Sequence, residues 1–341
     1  MKPLSIFTRY DRLGASSRLR YFIYERYLRK GGYAPEYHYF YSNEYLQALY
    51  KGKTCPCALP AAWFRRLKDL IKIRKNVVIE YELLPFLPYF VDAAFLSRCR
   101  YIVNFDDNVW EKYVNIPFLR NKLDKIVRNA AGVIAANDYL FNKVSTLNNN
   151  VIKIRTVPDA ASYNYKLPKF EKFTVAWIGT PVTYRYLEAF ADTLRAMNAA
   201  VDFELLVIAS AALKPIQGVN MRCVDWSPEV ESGLLCCSHV GIMPLTDDQF
   251  SMGKSSFKII QYFAAGIPPI ASPVGENSII IRDGVNGFTP NTPEQWVETI
   301  KKLYDDSYRS KISENIKISS ENLTIQHCQQ QLLDFFDRIF V

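Results

Sequence analysis

The sequence predicts an α/β protein made of two doubly wound domains with parallel sheets. Apolar runs of strand length alternate with helical patterns along all 341 residues. The strands are almost continuously apolar, as expected for parallel strands that are covered on both faces. Charge is also unevenly divided, because residues 1–170 carry 28 basic and 14 acidic side chains, whereas the remainder carries 14 and 20. The length of the chain suits two domains, and the uneven charge indicates that these domains have different partners.

The first half opens with the strand PLSIF, followed by a polar loop and a helix over about residues 17–29. Three later runs have strand length and composition, namely NVVIEYELL, YIVNFD and GVIAAN, and VIKIRTVPDA closes the half. These elements predict an N-terminal domain over residues 1–165, which would bind an acceptor.

The second half contains the buried-type strands FTVAWIG, FELLVIAS, HVGIMPL and PPIASP. Helical patterns at about 185–197, 229–237, 254–265 and 293–305 separate them. A polar stretch at about 160–171 serves as the linker. We therefore predict a second domain over 170–322, and an amphipathic helix within 323–341 that packs back on the N-terminal domain.

Composition excludes several classes of protein. With 49% hydrophobic and 14% aromatic residues, the chain is globular rather than disordered or fibrous. Its apolar runs are too short for a transmembrane helix, and its N-terminus lacks the features of a signal peptide. The seven cysteines form no CxxC pair, and the three histidines lie far apart, so no zinc site is expected. The odd cysteine count favours reduced thiols and a cytoplasmic location.

The densest chemical signal lies between residues 241 and 288. A strand ends near Leu245, a polar loop follows, and a helix is expected to begin near Lys254 or Ser255. On such a helix Lys254 and Lys258 would share one face and could flank a phosphate, close to amides that attract an anion. Gly275 would allow a second backbone contact with that anion. An ordinary helix with solvated lysines and a turn glycine fits the same spacing.

This segment resembles the donor-site region of glycosyltransferase family 4, whose members have the GT-B fold. The resemblance rests on AAGIPPIASPVG, on RDGVNGF, and on the order of strands and helices over the whole chain. It implies two Rossmann-like domains with a cleft between them, the C-terminal one binding a nucleotide-diphosphate sugar. It also implies retention of anomeric configuration without a metal, and no cofactor beyond the sugar donor.

The chain departs from the family pattern at two positions. The family usually carries two glutamates eight positions apart, where this sequence has Gly253 and Gln261. The second glutamate usually binds the ribose hydroxyls, and Gln261 is expected to accept one such bond through its carbonyl. The pattern G-K-x-x-x-K-x-x-Q-Y resembles one branch of the family, in which Lys254 and Lys258 serve the diphosphate.

The resemblance implies donor contacts from other loops as well. Gly179 and Thr180 would approach the phosphates through backbone amides, and Arg185 would supply a cation, unless it is a surface arginine. Gly14 lies in the N-terminal glycine-containing loop that faces the cleft in the family. The full set of donor-binding residues expected is Gly14, Gly179, Thr180, Arg185, Lys254, Lys258, Gln261, Gly275, Glu276 and Asn277.

Acceptor binding is expected at two loops of the first domain. Arg18 and Arg20 present forks that suit a pyrophosphate, although a capped basic helix would look the same. Asp106 and Asp107 follow the strand YIVNF and would orient the acceptor or the transferred sugar; alternatively, they form a cap and a turn. The acceptor residues expected are Ser16, Ser17, Arg18, Asp106 and Asp107, and the catalytic residues expected are Asp106, Lys254 and Lys258.

Residues 61–75, AAWFRRLKDLIKIRK, alternate apolar and basic side chains at helical spacing. This pattern is typical of a helix on an anionic membrane surface, and also of a surface helix packed on its own sheet. It points to a lipid-linked oligosaccharide as acceptor, as in bacterial surface polysaccharide (O-antigen or capsule) assembly, with the enzyme peripheral to the inner face of the cell membrane.

The predicted function is transfer of a sugar from a nucleotide-diphosphate donor, UDP first and GDP next, to a saccharide hydroxyl. Two alternatives remain at this level. A sugar-nucleotide epimerase has two such domains, and a non-catalytic nucleotide-sugar-binding subunit would explain Gly253 and Gln261. Nucleic acid is not an expected partner, because only the net charge of +8 would support it.

Overall fold

The structure, a computed structural model, describes residues 1–53, 55–164, 166–209 and 213–340. Its contacts divide the chain into two compact units. The first comprises Met1–Thr156, Met252–Ser255 and Gln326–Val341, and the second comprises Val157–Ser251 and Ser256–Ile325. The first unit thus ends at Thr156, earlier than the boundary predicted at 165, and it includes a four-residue segment from the middle of the sequence.

The secondary structure alternates strands and helices in both units. The strands are β1 (Lys2–Tyr10), β2 (Tyr33–Tyr41), β3 (Asn76–Glu80), β4 (Arg100–Phe105), β5 (Gly132–Ala135), β6 (Val151–Lys153), β7 (Thr174–Gly179), β8 (Glu204–Ala209), β9 (Met221–Asp225), β10 (Val240–Met243) and β11 (Pro269–Ala271). The helices are α1 (Ala15–Arg20), α2 (Glu25–Lys30), α3 (Asn43–Tyr50), α4 (Ala58–Leu70), α5 (Tyr89–Leu96), α6 (Lys122–Asn129), α7 (Asp138–Ser145), α8 (Pro181–Ala189), α9 (Ala191–Ala200), α10 (Pro228–Cys237), α11 (Gln249–Met252), α12 (Phe257–Ala264), α13 (Asn277–Ile280), α14 (Pro293–Tyr304), α15 (Asp306–Ser319) and α16 (Ile325–Ile339).

The sheet of the first unit has the order β2-β1-β3-β4-β5-β6, and its strands pair in parallel. The chain winds outward from β1 in one direction to β2 and in the other to β3 and onward. The point where the winding reverses therefore lies between β1 and β3. In open parallel sheets, ligands bind outside the carboxyl ends of the strands at such a point.

The sheet of the second unit has the order β11-β10-β7-β8-β9, again with parallel pairing. Here the winding reverses between β7 and β10. Apart from the edge strand β9, which is partly exposed, the strands of this sheet are apolar and largely buried, as Val175, Leu206 and Ile242 illustrate. The predicted α/β class, with parallel sheets in two Rossmann-like halves, is confirmed.

The last helix, α16, packs on the sheet of the first unit. A Cβ atom added to Gly132 of β5 would lie 2.7 Å from the Phe335 ring, so only glycine fits this contact. Asp337 accepts hydrogen bonds from the Tyr33 hydroxyl at 2.8 Å and from Lys2 Nζ at 2.9 Å. These contacts explain why the end of the chain belongs to the first unit.

Several element boundaries differ from the sequence prediction. The helix expected at 17–29 is broken into α1, a 3₁₀ turn at 22–24 and α2. The strand expected at 76–84 ends at Glu80, because Tyr81 has the left-handed φ of 63°. The helix expected from Lys254 begins only at Phe257, after Ser256 with φ of 52°. Such backbone reversals depend on tertiary contacts and leave no mark on hydrophobic periodicity.

The basic segment 61–75 forms most of α4, and its side chains divide between two environments. Arg66 is only 1% exposed, and its Nη2 donates to the carbonyl of Thr8 at 2.7 Å. The prediction that this arginine faces a membrane surface is therefore wrong. Phe64 is 75% exposed and Ile71 is 81% exposed. Across the described ranges, no helix combines the length and apolarity needed to cross a membrane.

Candidate functional site

Glu80 lies at the end of β3, where the winding of the first sheet reverses. Its Oε1 accepts a hydrogen bond from Ser16 Oγ at 2.8 Å, and its Oε2 accepts from Ser17 Oγ at 2.6 Å and from the Arg9 amide at 2.7 Å. Burial raises the pKa of Glu80 to about 6, and the neighbouring carboxylate of Asp106 adds to the rise. The two serines predicted to bind acceptor thus direct their hydroxyls into the protein.

The loop between β1 and α1 is fixed in a second way. Gly14 precedes α1, and a Cβ atom there would lie 2.2 Å from Cβ of Tyr10, so the chain can turn this closely only with glycine. Ser17 Oγ also accepts from the Tyr10 amide at 2.9 Å. The structure therefore shows Gly14 as a packing residue of the first unit.

Asp106 and Asp107 follow β4 at the same edge of the sheet. Asp106 accepts a hydrogen bond from the hydroxyl of Tyr81, the residue with the left-handed backbone. Asp107 is half-buried, and burial raises its pKa to about 6, while Lys254 lowers it and Asp106 raises it further. A carboxyl group with a perturbed pKa is common at functional sites, which makes Asp107 a candidate site residue.

The two arginines of α1 have different environments. Arg20 is buried, and its guanidinium donates to the Asn104 side chain at 2.7 Å and to the carbonyl of Ile154 at 2.6 Å. Arg20 therefore holds α1 to β4 and is buried, whereas the predicted contact with a pyrophosphate requires an accessible guanidinium. Arg18 is half-buried in the same helix.

The segment Met252–Ser255 belongs to the first unit and explains why position 253 is glycine. A Cβ atom on Gly253 would lie 2.3 Å from Cβ of Asn108 and 3.1 Å from its backbone nitrogen. Asn137 Nδ2 donates to the carbonyl of Gly253 at 2.7 Å and to that of Lys254 at 3.1 Å. No glutamate side chain can be placed at 253 without moving this packed backbone.

In the second unit, Gly179 ends β7 where the winding reverses. A Cβ atom there would lie 2.4 Å from the Trp177 ring and 2.7 Å from Thr183 Oγ1. Thr180 and Thr183 form a capping box at the start of α8, in which the Thr180 amide donates to Thr183 Oγ1 at 3.0 Å. The Thr180 amide thus donates its hydrogen bond within the helix cap, whereas we expected it to donate to a phosphate.

The two lysines predicted to share a helix face do not do so. Lys254 precedes α12 and lies in the first unit, where its charge acts on Asp107. Lys258 lies in the first turn of α12 in the second unit, with its Nζ 4.3 Å from the centroid of the Trp177 ring. The left-handed Ser256 between them breaks the helical spacing on which the prediction depended.

Arg185 is an exposed residue of α8 at the same edge. Its Nη2 donates to the Tyr186 hydroxyl at 3.2 Å, and this hydroxyl accepts from Ser251 Oγ at 3.2 Å. Asp248 accepts from the Ser251 amide at 2.8 Å, so it is a turn residue. The guanidinium of Arg185 therefore projects beside a fixed tyrosine near the carboxyl ends of β7 and β10.

The helical turn after β11 is tied to the start of α12. Gly275 has φ of 55°, which glycine adopts without strain. Asn277 is fully buried; its Oδ1 accepts from Ser256 Oγ at 2.6 Å and its Nδ2 donates to the carbonyl of Ser272 at 3.1 Å. Glu276 is also buried. The Asn277 side chain therefore serves internal bonding, while Gly275 is partly exposed.

Gln261 lies in α12, within the predicted helix, and its side chain makes an internal hydrogen bond. It is 3% exposed, and its Nε2 donates to Glu231 Oε1 at 3.1 Å. The second oxygen of Glu231 accepts from the indole nitrogen of Trp226. The glutamine is therefore part of an internal pair with a carboxylate from another helix.

Sequence reasoning missed Glu80, Tyr81 and Glu231. Glu80 and Tyr81 lie inside the apolar run NVVIEYELL, which has the pattern of a single strand. The presence of a charged glutamate within that run is the only sequence feature that indicates a special role. Glu231 lies in an acidic helix start, PEVE, which is typical of an ordinary capped helix. Within the described ranges, no three His, Cys, Asp or Glu side chains are arranged to hold a metal ion.

Comparison with known protein families identifies a glycosyltransferase domain in the second half of the chain. Residues 172–306 match the family described as Glycosyl transferases group 1. A search of curated proteins finds no match. The match confirms the prediction of a glycosyltransferase enzyme, while assignment to family 4 and to one of its branches stays a prediction.

Solved structures share the fold across the whole chain. HepE from Anabaena, in complex with UDP and glucose, superposes with a TM-score of 0.75 at 13% identity, covering 99% of this chain and 100% of that one. Sucrose-phosphate synthase from Thermosynechococcus elongatus gives 0.69 at 12% identity, covering 100% and 99%. A glycosyltransferase from Rickettsia africae gives 0.68 at 12%, covering 99% of each chain. The chain thus carries a glycosyl transferases group 1 domain over residues 172–306 and has the fold of GT-B glycosyltransferases.

Proposed function

We propose that this protein transfers a sugar from a nucleotide-diphosphate sugar to a hydroxyl of a saccharide acceptor, with retention of configuration and without a metal. One observation carries the proposal: Gly179, Arg185 and Lys258 lie at the carboxyl ends of β7 and β10, where the winding of the second sheet reverses. This is the place where doubly wound sheets bind nucleotides. UDP is the favoured nucleotide and GDP the next, and the UDP bound to the similar HepE supports this order.

Charge at this edge suits a diphosphate leaving group. As the bond to the sugar breaks, negative charge grows on the β-phosphate, and fixed cations stabilise that charge. Arg185 and Lys258 are held by Tyr186 and Trp177, respectively, so they need little reorganisation. In this scheme the leaving phosphate assists attack on the same face, and no protein nucleophile is required.

Acceptor binding is proposed at the carboxyl edge of the first sheet. Asp106 and Asp107 would orient the acceptor hydroxyl; the Tyr81 hydroxyl donates a hydrogen bond to Asp106, and the charge of Lys254 acts on Asp107. Ser16 and Ser17 would contribute indirectly, because their hydroxyls fix Glu80. Arg18 completes the proposed acceptor set.

The donor site can be tested by thermal unfolding with UDP, GDP, ADP and CMP. A ligand at 100 times its dissociation constant stabilises a protein by about 2.7 kcal/mol. We expect one nucleoside diphosphate to raise the melting temperature, and Lys258→Met to reduce that rise. Lys302→Met, an exposed lysine of α14, is the control and should leave the rise unchanged. A folded protein that responds to no nucleotide would refute the proposal.

Gly253 favours a second candidate, a non-catalytic subunit that binds a nucleotide sugar. The space that a glutamate would need is filled by Asn108. Nucleotide binding without release of nucleoside diphosphate from any donor, across a panel of acceptors, would favour this candidate. Turnover of one donor would exclude it.

We further propose that the acceptor is lipid-linked and that α4 contacts an anionic membrane in surface polysaccharide assembly. Phe64, Leu67 and Ile71 are exposed on α4 and its end, and Lys68 and Lys72 are exposed beside them. Such a surface suits the interface of anionic lipids. Phe64→Ser/Ile71→Ser should bind phosphatidylglycerol vesicles at least about tenfold more weakly than the wild type, whereas Ile318→Ser, an equally exposed residue elsewhere, should not. Equal binding by all three proteins would refute this assignment.

A further inference from the structure

The pair formed by Gln261 and Glu231 gives the second unit a carboxylate with a fixed orientation. One oxygen of Glu231 accepts from Gln261 Nε2 at 3.1 Å, and the other accepts from the indole nitrogen of Trp226. Gln261 is buried, whereas Glu231 is half-buried. The glutamine and the tryptophan thus fix the carboxylate plane of a side chain that is only partly buried.

This carboxylate lies on the ligand-binding edge of the second sheet. Glu231 is in the first turns of α10, which begins at Pro228, three residues after β9 ends. Gln261 is in α12, which follows β10. A helix that follows a parallel strand begins at the carboxyl end of that strand, so both residues are on the same edge as Gly179 and Lys258.

The chemistry of the group restricts its ligand. An ionised carboxylate accepts hydrogen bonds and donates none. It repels phosphate oxygens, so it suits a neutral part of a nucleotide. A vicinal diol presents two hydroxyl donors to the two carboxylate oxygens, and acidic side chains bind ribose in this way in doubly wound domains.

We infer that Glu231 accepts hydrogen bonds from the ribose hydroxyls of the donor nucleotide, and that Gln261 is a positioning residue for Glu231. The inference rests on the proposed function, because it requires a nucleotide at this edge. It changes the role expected for Gln261, whose amide contacts Glu231 in the structure. On this inference Glu231 supplies the carboxylate for the ribose, although residue 261 is a glutamine and has no carboxylate.

Two substitutions at Gln261 and Glu231 separate this inference from direct contact between Gln261 and ribose. Gln261→Glu would place two carboxylates about as close as the present pair, at 3.1 Å, and their repulsion would disfavour the ionised pair. We therefore expect this variant to bind UDP more weakly. If Gln261 itself faced the ribose, the added carboxylate would strengthen UDP binding. The two roles predict changes of opposite sign.

The main experiment compares UDP with 2′-deoxy-UDP and 3′-deoxy-UDP by calorimetry. Hydrogen bonds to charged groups suggest that each missing hydroxyl weakens wild-type binding about tenfold or more. Glu231→Gln should bind UDP about tenfold more weakly and should lose most of the discrimination between UDP and its deoxy forms. Glu229→Gln, an exposed glutamate of the same helix, is the matched control. Gln261→Met should reduce the discrimination between UDP and its deoxy forms. Its melting temperature, measured in parallel, shows whether the variant is folded.

The outcomes distinguish this inference from the proposed function. If the wild type binds UDP, or GDP tested with its own deoxy forms, and Glu231→Gln keeps the wild-type discrimination, the role of Glu231 is refuted and the donor site stands. If the wild type binds neither nucleotide, the proposed function fails, and the inference fails with it. Tighter binding of UDP by Gln261→Glu would also overturn the inference.

Discussion

Replacing Lys122 by methionine tests a buried ion cluster in the first unit. Lys122 Nζ lies 2.7 Å from Glu82 Oε2 and 3.0 Å from Asp92 Oδ2, and it donates to the carbonyl of Leu84 at 2.6 Å. The Lys122 and Asp92 side chains are fully buried, and that of Glu82 is nearly so. Lys122→Met therefore leaves two buried carboxylates without their cation. Removing one partner of a buried ion pair costs about 3–5 kcal/mol.

Thermal and denaturant unfolding measure this cost directly. For a unit of this size, a loss of about 1 kcal/mol lowers the melting temperature by about 2–4 °C, so we expect a decrease of roughly 6–20 °C. Lys125→Met, an exposed lysine three residues further along α6, should change it little. Glu82→Gln/Asp92→Asn in the Lys122→Met background should recover part of the loss, because no buried charge would remain. A Lys122→Met protein as stable as the Lys125→Met control would refute the reasoning.

Three further predictions concern single side chains. The pKa of Glu80 rises from 4.5 to about 6 on folding. The folded state therefore binds a proton more tightly, and about 2 kcal/mol of stability relative to Glu80→Gln should be lost as pH rises from about 4 through 6; denaturant unfolding at several pH values would show a constant difference if the carboxyl group did not titrate. Gly179→Ala, whose Cβ atom would meet Trp177 at 2.4 Å, should lower the free energy of unfolding by about 1–3 kcal/mol. Gly233→Ala has space for the Cβ atom and a helical backbone, so it should leave stability unchanged or raise it. Equal melting temperatures for the two variants would contradict this prediction. Arg20→Met should destabilise the first unit by about 2 kcal/mol or more by orphaning buried acceptors, and an unchanged urea midpoint would show that Arg20 is not structural.

Much of the fold is predictable from the sequence because parallel strands are buried on both faces. YIVNF and FTVAWIG are almost continuously apolar, and each becomes a strand close to its predicted bounds. Two of the boundaries that differ are places where the backbone reverses without a glycine. Tyr81 and Ser256 adopt left-handed conformations that their side chains do not favour. Contacts from distant parts of the chain hold them there, so local patterns could not reveal them.

The candidate site was less predictable, since its important pairs are far apart in sequence. The spacing of 63 residues between Ser17 and Glu80, or of 30 between Glu231 and Gln261, carries no periodic signal. Side chains near strand ends were nevertheless found, because loops at the carboxyl ends of parallel strands are the places to look. Their roles required the structure, which uses Ser17 and Arg20 internally.

The two departures from the family pattern have local structural counterparts. At position 253 the absent side chain leaves no void, because Asn108 occupies the space. At position 261 the absent carboxylate has a neighbour of the same chemistry, since Glu231 lies against Gln261. The hydrogen bond to Glu231 also satisfies the buried amide of Gln261, whose burial would otherwise be costly. On the proposal made here, the pair places a carboxylate beside the donor ribose. Gln261→Glu decides between this role and direct contact of Gln261 with the ribose, because the two roles predict changes of opposite sign in UDP affinity.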